Sequence, residues 1–138
     1  MNVDSIQNGV VIDHIRAGSG MRLYELLNLD NLDVSVALIK NVVSRKMGKK
    51  DIIKIDGLIS VDFDVIGFVD PEATVNLIRE GDLVEKRNIP MPETLRGVVK
   101  CKNPRCITST EQELPHIFRL TDRENKVYRC IYCETKAK

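Results

Sequence analysis

The sequence contains few aromatic residues, and most of its length has no cysteine. It has no tryptophan, aromatic residues make up 4% of its 138 residues, and its four cysteines all lie from residue 101 onward. No apolar run approaches the roughly 18 residues that a membrane-spanning helix needs, and the first residues do not have the pattern of a secretory leader. The sequence therefore predicts a cytoplasmic protein with no membrane partner, whose small cores lack bulky side chains.

Net charge is also nearly absent, because 21 Lys+Arg face 20 Asp+Glu. This balance gives no overall reason to expect nucleic acid or an anionic membrane as a partner. The balance hides a division, since residues 1–95 carry a net charge of −4 and residues 96–138 a net charge of +5. Pro90 and Pro92 lie just before this change, where they disfavour helix and favour an extended connector. We therefore predict two domains, residues 1–92 and 93–138.

The first domain alternates between strand and helix patterns. Strands are predicted at residues 10–15, from 34, at 49–55, at 73–78 and at 83–86, with helices capped by Ser19 and Ser60. The order β-α-β-β-α-β predicts a ferredoxin-like sheet with both helices on one face. The fold class is therefore α+β, and the other sheet face or an edge is left for a ligand or a second copy of the chain.

The four cysteines form the strongest motif. Cys101 and Cys106 make a C-x4-C pair, Cys130 and Cys133 make a C-x2-C pair, and 23 residues separate the two pairs. Two such loops can present four thiolates to one tetrahedral ion, a set that suits Zn²⁺. A closed shell leaves no position for water or substrate, so we predict one structural zinc ion per chain. Two disulfides or four unrelated thiols are the alternatives, which a reducing compartment disfavours.

The residues between the cysteine pairs predict a β-hairpin. Residues 116–120 and 126–130 alternate in polarity around a polar turn, so the second domain is predicted as a small all-β, zinc-ribbon-like unit. His116 is a weaker candidate ligand, because four cysteines already complete the shell. A basic zinc domain also suggests nucleic acid, but its cations are scattered, and four bound thiolates with Zn²⁺ lower the excess to about +3.

Two groups of polar residues in the first domain are candidates for binding. Lys50 and Lys54 share a strand face with their ammonium groups roughly 13 Å apart, which suits polyphosphate; an edge strand protected by lysines is the alternative. Asp13 and His14 can act on one ligand only at a strand end or bulge, and otherwise His14 is an ordinary strand residue. The sequence has no nucleophile triad, Walker motif or open metal site, so catalysis is not expected.

Several blocks of sequence, taken together, resemble one protein family. They are residues 3–6, 9–15, 48–55 and 71–78, followed by the four-cysteine tail. In this order and spacing the chain resembles the regulatory chain of aspartate carbamoyltransferase from about residue 3 to residue 134. The resemblance implies a noncatalytic subunit of pyrimidine biosynthesis. Its first domain would bind the effectors CTP, UTP and ATP, alone or with Mg²⁺, and its zinc domain would dock onto the catalytic chain.

The resemblance also implies an assembly and a set of binding residues. Regulatory chains of this family form homodimers, and three such dimers bridge two catalytic trimers. Asp13 would contact ribose, while phosphates or the ribose edge would meet His14, Lys50, Lys54 and Lys86. The base and a second nucleotide would be bounded by Val3, Asp4, Ile6, Ile52, Asn76, Ile78 and Leu83.

Some positions depart from the family pattern. Gly81 replaces an aromatic residue near the base, and Arg105 replaces a small polar residue that helps to meet the catalytic chain, although Asn103 keeps the neighbouring amide. Residues 30–47 align poorly. These departures leave effector preference and coupling strength open, and two other functions remain as alternatives: a zinc-ribbon nucleic-acid-binding protein and a free-standing nucleotide-sensing domain.

Overall fold

The computed structural model describes residues 6–137, so the predicted site residues Val3 and Asp4 lie outside the described part. Internal contacts divide the chain into two compact units, Met1–Pro90 and Met91–Lys138. No helix within the described residues is long and apolar enough to cross a membrane.

The first unit is built on a five-stranded antiparallel sheet. Its elements are β1 (Gly9–Arg16), α1 (Gly20–Leu26), a 3₁₀ turn (Leu29–Asn31), β2 (Val36–Ser44), β3 (Gly48–Ile55), α2 (Phe63–Val69), β4 (Thr74–Arg79) and β5 (Asp82–Asn88). The strands lie in the order β2-β3-β1-β4-β5. The first four strands have the ferredoxin-like order and β5 extends one edge, so the predicted α+β fold is confirmed.

The two faces of this sheet differ in character, as strand alternation requires. Ile12, Ile53 and Val75 lie on the face covered by helices and share a buried core with Leu23 of α1 and Ile66 of α2. Most of the alternate residues of the same strands are half-buried, and they include lysines and an asparagine. Neither of the two helices described within residues 6–90 packs on this second face, which we call the open face.

Local capping differs from the prediction at both helices. Helix α2 is capped by Asp62 and not by Ser60, because the Asp62 carboxylate accepts the N–H groups of Asp64 (2.9 Å) and Val65 (3.4 Å). Ser19 occupies the N-cap position of α1, but its side chain makes no capping hydrogen bond. Strand β2 begins at residue 36 and not at residue 34.

The second unit is a small three-stranded sheet. It contains β6 (Thr94–Arg96), a short helix α3 (Ile107–Thr110), β7 (Ile117–Asp122) and β8 (Val127–Cys130), and the strands lie in the order β6-β7-β8. The predicted hairpin is therefore present as β7 and β8, whereas β6 and α3 were not predicted. Leu95, Phe118 and Tyr128 are at most 1% exposed and form the core of one sheet face. This core is small, as the shortage of aromatic residues implied.

Candidate functional site

The four cysteines converge on one point in the second unit. Their sulfur atoms all lie within 4.8 Å of one another. The Sγ atoms of Cys101 and Cys133 are 3.5 Å apart, and those of Cys106 and Cys130 are 3.7 Å apart. Four thiolates around a tetrahedral zinc ion lie about 3.8 Å from one another, given a Zn–S bond of roughly 2.3 Å. The predicted ligands thus form a group of the size that a four-sulfur metal site requires.

Two threonine hydroxyls support this cluster, and the sequence reasoning missed both. Thr108 Oγ1 lies 3.0 Å from Sγ of Cys106, and Thr135 Oγ1 lies 3.2 Å from Sγ of Cys133. Each threonine follows the second cysteine of a pair by two residues, so a repeated C-x-T pattern is the signal that could have revealed them. A hydroxyl at this distance can donate to a metal-bound thiolate and orient it.

The thiols of the cluster differ in acidity. Burial raises the pKa of Cys101 to about 12 and also raises the pKa of Cys130. The hydroxyl of Thr135 is the main cause that lowers the pKa of Cys133 to about 6. A metal ion that binds here must displace protons from the buried thiols, since thiolates are the ligands.

His116 lies beside the cluster but does not belong to it. The group of side chains that converges on one point contains the four cysteines and not His116. Its Nδ1 atom instead lies 2.9 Å from the backbone N–H of Cys101, and accepts that hydrogen. His116 therefore positions the first cysteine loop, in agreement with its lower rank as a candidate ligand.

In the first unit, strand register places most of the predicted binding residues on the open face. Lys54, Val11, Asn76 and Lys86 lie directly opposite one another across β3, β1, β4 and β5, and form one continuous cross-strand row. Lys50 and Ile52 share that face of β3, because they alternate with the buried residues of the strand. Leu83 pairs with Ile78 at the β4–β5 end of the sheet, and Ile6 is buried.

Strand β1 contains a bulge at Asp13 and His14. The pairing of β1 with β3 shifts between Ile12 and Ile15, and His14 has a φ of 60°. The Asp13 carboxylate lies 3.0 Å from the Lys50 ammonium and accepts the backbone N–H of His14 (2.6 Å). The sequence allowed joint action of this pair only at a strand end or bulge, and the bulge supplies that condition.

Two further polar groups lie on the open face, and of these only Asn76 was predicted from the sequence. Thr74 is buried, and its hydroxyl lies 3.1 Å from Nδ1 of His14, which fixes the imidazole ring. The Oδ1 atom of Asn76 is buried and has no hydrogen-bond partner among residues 6–137. A buried amide oxygen without a partner is costly, so Asn76 is ready to accept a hydrogen bond from a ligand.

Buried carboxylates hold the loop that follows β1. Asp51 is completely buried, and it accepts the N–H groups of Gly18 (3.1 Å), Gly20 (3.0 Å) and Asn41 (3.0 Å). Asp70 accepts the N–H of Arg16 at 2.6 Å. These contacts fix the end of β1 next to the Asp13–His14 bulge, and sequence reasoning did not identify either carboxylate.

The fold and the cysteine cluster define a class of protein: a chain that joins a ferredoxin-like domain to a small domain with a four-cysteine metal centre. Comparison with known proteins makes the class specific. The family model described as "Aspartate carbamoyltransferase regulatory chain, allosteric domain" matches residues 1–90, and the one described as "Aspartate carbamoyltransferase regulatory chain, metal binding domain" matches residues 93–138.

Curated relatives agree along nearly the whole chain. Each is an aspartate carbamoyltransferase regulatory chain. The one from Clostridium tetani is 49% identical over 97% of this chain and 94% of its own length. The one from Clostridium botulinum strain Hall is 48% identical over 97% and 92%, and the one from Bifidobacterium longum is 45% identical over 100% and 99%. The chain therefore belongs to the aspartate carbamoyltransferase regulatory chain family, and the prediction of a noncatalytic subunit is confirmed.

Proposed function

We propose that this chain is a cytoplasmic subunit that binds CTP, UTP and ATP on the open face of residues 1–92, and that it transmits their effect to the catalytic chain. The row of Lys54, Val11, Asn76 and Lys86 beside the Asp13–Lys50 pair carries this proposal. Lysine ammonium groups suit polyphosphate as flexible point charges. A carboxylate suits ribose hydroxyls, and Asn76 Oδ1, which has no partner among residues 6–137, can accept from the exocyclic amino group of a base.

The same geometry suggests how one face accepts both purine and pyrimidine nucleotides. Ile52 and Ile78 provide apolar area without a directional requirement, and Leu83 is 57% exposed at the sheet margin. Gly81, at the β4–β5 turn, has a φ of 81° and adds no side chain there. Discrimination between effectors then depends on how each nucleotide biases two quaternary states, and this coupling is reciprocal between effector and substrate.

The metal proposed for residues 93–138 is zinc, one ion per chain, held by Cys101, Cys106, Cys130 and Cys133. The four-sulfur set and the sulfur spacings of 3.5 and 3.7 Å support this choice, because soft tetrahedral thiolate sites favour Zn²⁺ over harder ions. We propose that the metal is structural and that this unit docks onto the catalytic chain of aspartate carbamoyltransferase. Its sheet core of three large residues is small for independent folding.

A regulatory homodimer is also proposed, formed through the edge of the first sheet at β2. Strand β2 and strand β5 are the two edges of this sheet. Lys40 is the only charged residue of β2, and Val43 is 84% exposed. Strand β5 instead carries four charged residues and is exposed throughout, which protects an edge from pairing. Three such dimers bridging two catalytic trimers would give the holoenzyme of the family.

Titration of the zinc-bound protein with CTP and ATP tests the nucleotide site. Lys54→Ala removes one cation of the open-face row. It should therefore weaken the binding of both nucleotides about tenfold or more, which corresponds to roughly 1.4 kcal/mol. Association with the catalytic chain should be unchanged. Lys46→Ala removes an equal charge from an exposed position in the turn between β2 and β3 and serves as the control. Titration curves that are identical for wild type and Lys54→Ala would refute the phosphate assignment.

A further inference from the structure

The outer face of the second sheet carries arginines that face each other directly. Arg119 of β7 and Arg129 of β8 are register partners, and Thr94 of β6 lies opposite Arg119 on its other side. These residues alternate with the buried Phe118 and Tyr128 and therefore lie on the face opposite the core. Lys136 extends the row through its bridge with Arg129. Like charges placed directly opposite in a sheet destabilise the pairing.

Acidic side chains lie near this pair but do not form ion pairs with it in the described residues, and Glu93 borders a second cleft beside Arg119. Neither Arg119 nor Arg129 forms an ion pair within 4 Å among residues 6–137, where the second unit has one ion pair, between Arg123 and Glu93. Glu134 borders the same cleft, but Arg129 donates to its backbone carbonyl (2.9 Å) and not to its carboxylate. The two arginines therefore keep a positive charge that an anionic group of a partner can neutralise.

A cleft at the row has room for a carboxylate. The cleft measures about 110 Å³, and it is lined by both arginines together with Thr121 and Ile131. Arginine presents a planar fork of donors that binds carboxylates in two-point fashion, and it is enriched at the centres of protein interfaces. Ile131 is 40% exposed and supplies apolar area beside the charges.

We infer that the row formed by Arg119 and Arg129 is a docking surface for an acidic segment of the catalytic chain, with an Asp or Glu carboxylate of that chain lying between the two guanidinium groups. The inference rests on the proposed docking role of residues 93–138 and specifies the surface and the chemistry of the contact. The partner carboxylate relieves the cross-strand repulsion, so this row lowers the stability of the free chain and contributes to affinity in the complex.

The decisive variant is Arg119→Glu, because it separates folding from docking. It converts a like-charge cross-strand pair into an opposite-charge pair, so the thermal midpoint of the zinc-bound full-length chain should stay the same or rise. Affinity for the purified catalytic trimer should nevertheless fall tenfold or more, and the salt dependence of binding should become shallower. Lys126→Glu makes the same charge change at an exposed hairpin position outside the cleft. This control should change affinity less than twofold.

Zinc content and binding to the trimer are measured for each protein, together with binding to a random-sequence duplex DNA. If wild type binds the trimer and Arg119→Glu binds equally well, the inference is overturned while the docking role stands. Wild type that fails to bind the trimer overturns the docking role and the inference with it. If Arg119→Glu loses DNA binding but not trimer binding, the row is a nucleic-acid surface. A second variant, Arg129→Gln, should also weaken trimer binding, and its failure to do so counts against the paired-arginine contact.

Discussion

The side chain of Asp51 is completely buried, and the three hydrogen bonds that it accepts come from two other segments of the chain. Two come from Gly18 and Gly20 in the loop after β1, and one comes from Asn41 in β2. A Cβ atom on Gly20 would lie 2.8 Å from Oδ2 of Asp51, so glycine is needed for this approach. At the residue scale, a single carboxylate thus fixes the loop that follows the Asp13–His14 bulge.

Asp51→Asn should destabilise the first unit by about 2 to 3 kcal/mol, because an amide NH₂ group would face backbone donors that now share a carboxylate. Urea unfolding, followed by a probe of the first unit, measures the effect. Asp56→Asn changes an exposed carboxylate of the turn after β3 and should shift the free energy of unfolding by less than about 0.5 kcal/mol. Equal effects of the two variants would show that the buried network does not contribute as described.

Among the structural elements, the two edge strands of the first sheet are expected to respond differently when a charge is added, because only β2 is proposed to form the homodimer. Val43→Lys places a charge on the apolar edge strand β2 and should convert the proposed dimer into monomer at micromolar concentration. Val84→Lys makes the same change on β5, where Val84 is 53% exposed, and should leave the dimer intact. Analytical ultracentrifugation distinguishes these states. A dimer that persists in Val43→Lys but dissociates in Val84→Lys would show that the interface lies at β5 and not at β2.

Long alternating segments could be predicted from the sequence, and short or irregular ones could not. Strand β3 buries every second residue from Asp51 onward, and strands β1 and β4 are rich in β-branched residues, which is why their positions were apparent. Strand β6 has three residues and follows two prolines, too short for a period to show. The cap of α2 was assigned to Ser60 because two capping residues stand close together, and only the backbone path selects Asp62. The missed elements therefore depend on tertiary contacts.

At the scale of the whole molecule, metal removal should separate the two units. A strong chelator should unfold residues 93–138, because structural zinc supplies roughly 10 kcal/mol or more of folding energy to small domains. Hydrogen exchange should then show lost protection in β6, β7 and β8 and retained protection in β1 to β5. Nucleotide binding should survive, while binding to the catalytic chain is lost. Protection that is lost equally in both units would contradict independent folding.

Acid should release the metal by the same chemistry. Burial raises the pKa of Cys101 to about 12, so this thiol is protonated near neutral pH when no metal is bound, and metal binding must displace its proton. Protons compete with the metal ion for the thiolates, so the affinity for the metal decreases as the pH falls. Metal content measured after dialysis should therefore decrease between pH 7 and pH 5. Content that rises with acid would exclude thiolate ligation.

Residue type and local spacing were enough to predict the four-cysteine cluster, the family and most of the strands, because none of these depends on a long-range contact. Tertiary structure decided which side chains share a surface. Asp13, Lys54, Asn76 and Lys86 are distant in sequence, and only the pairing of four strands aligns them on the open face. The φ of 60° at His14 likewise arises from sheet register, since nothing in the residues 13–14 demands a bulge. Long-range backbone pairing, and not local pattern, made these residues one candidate site.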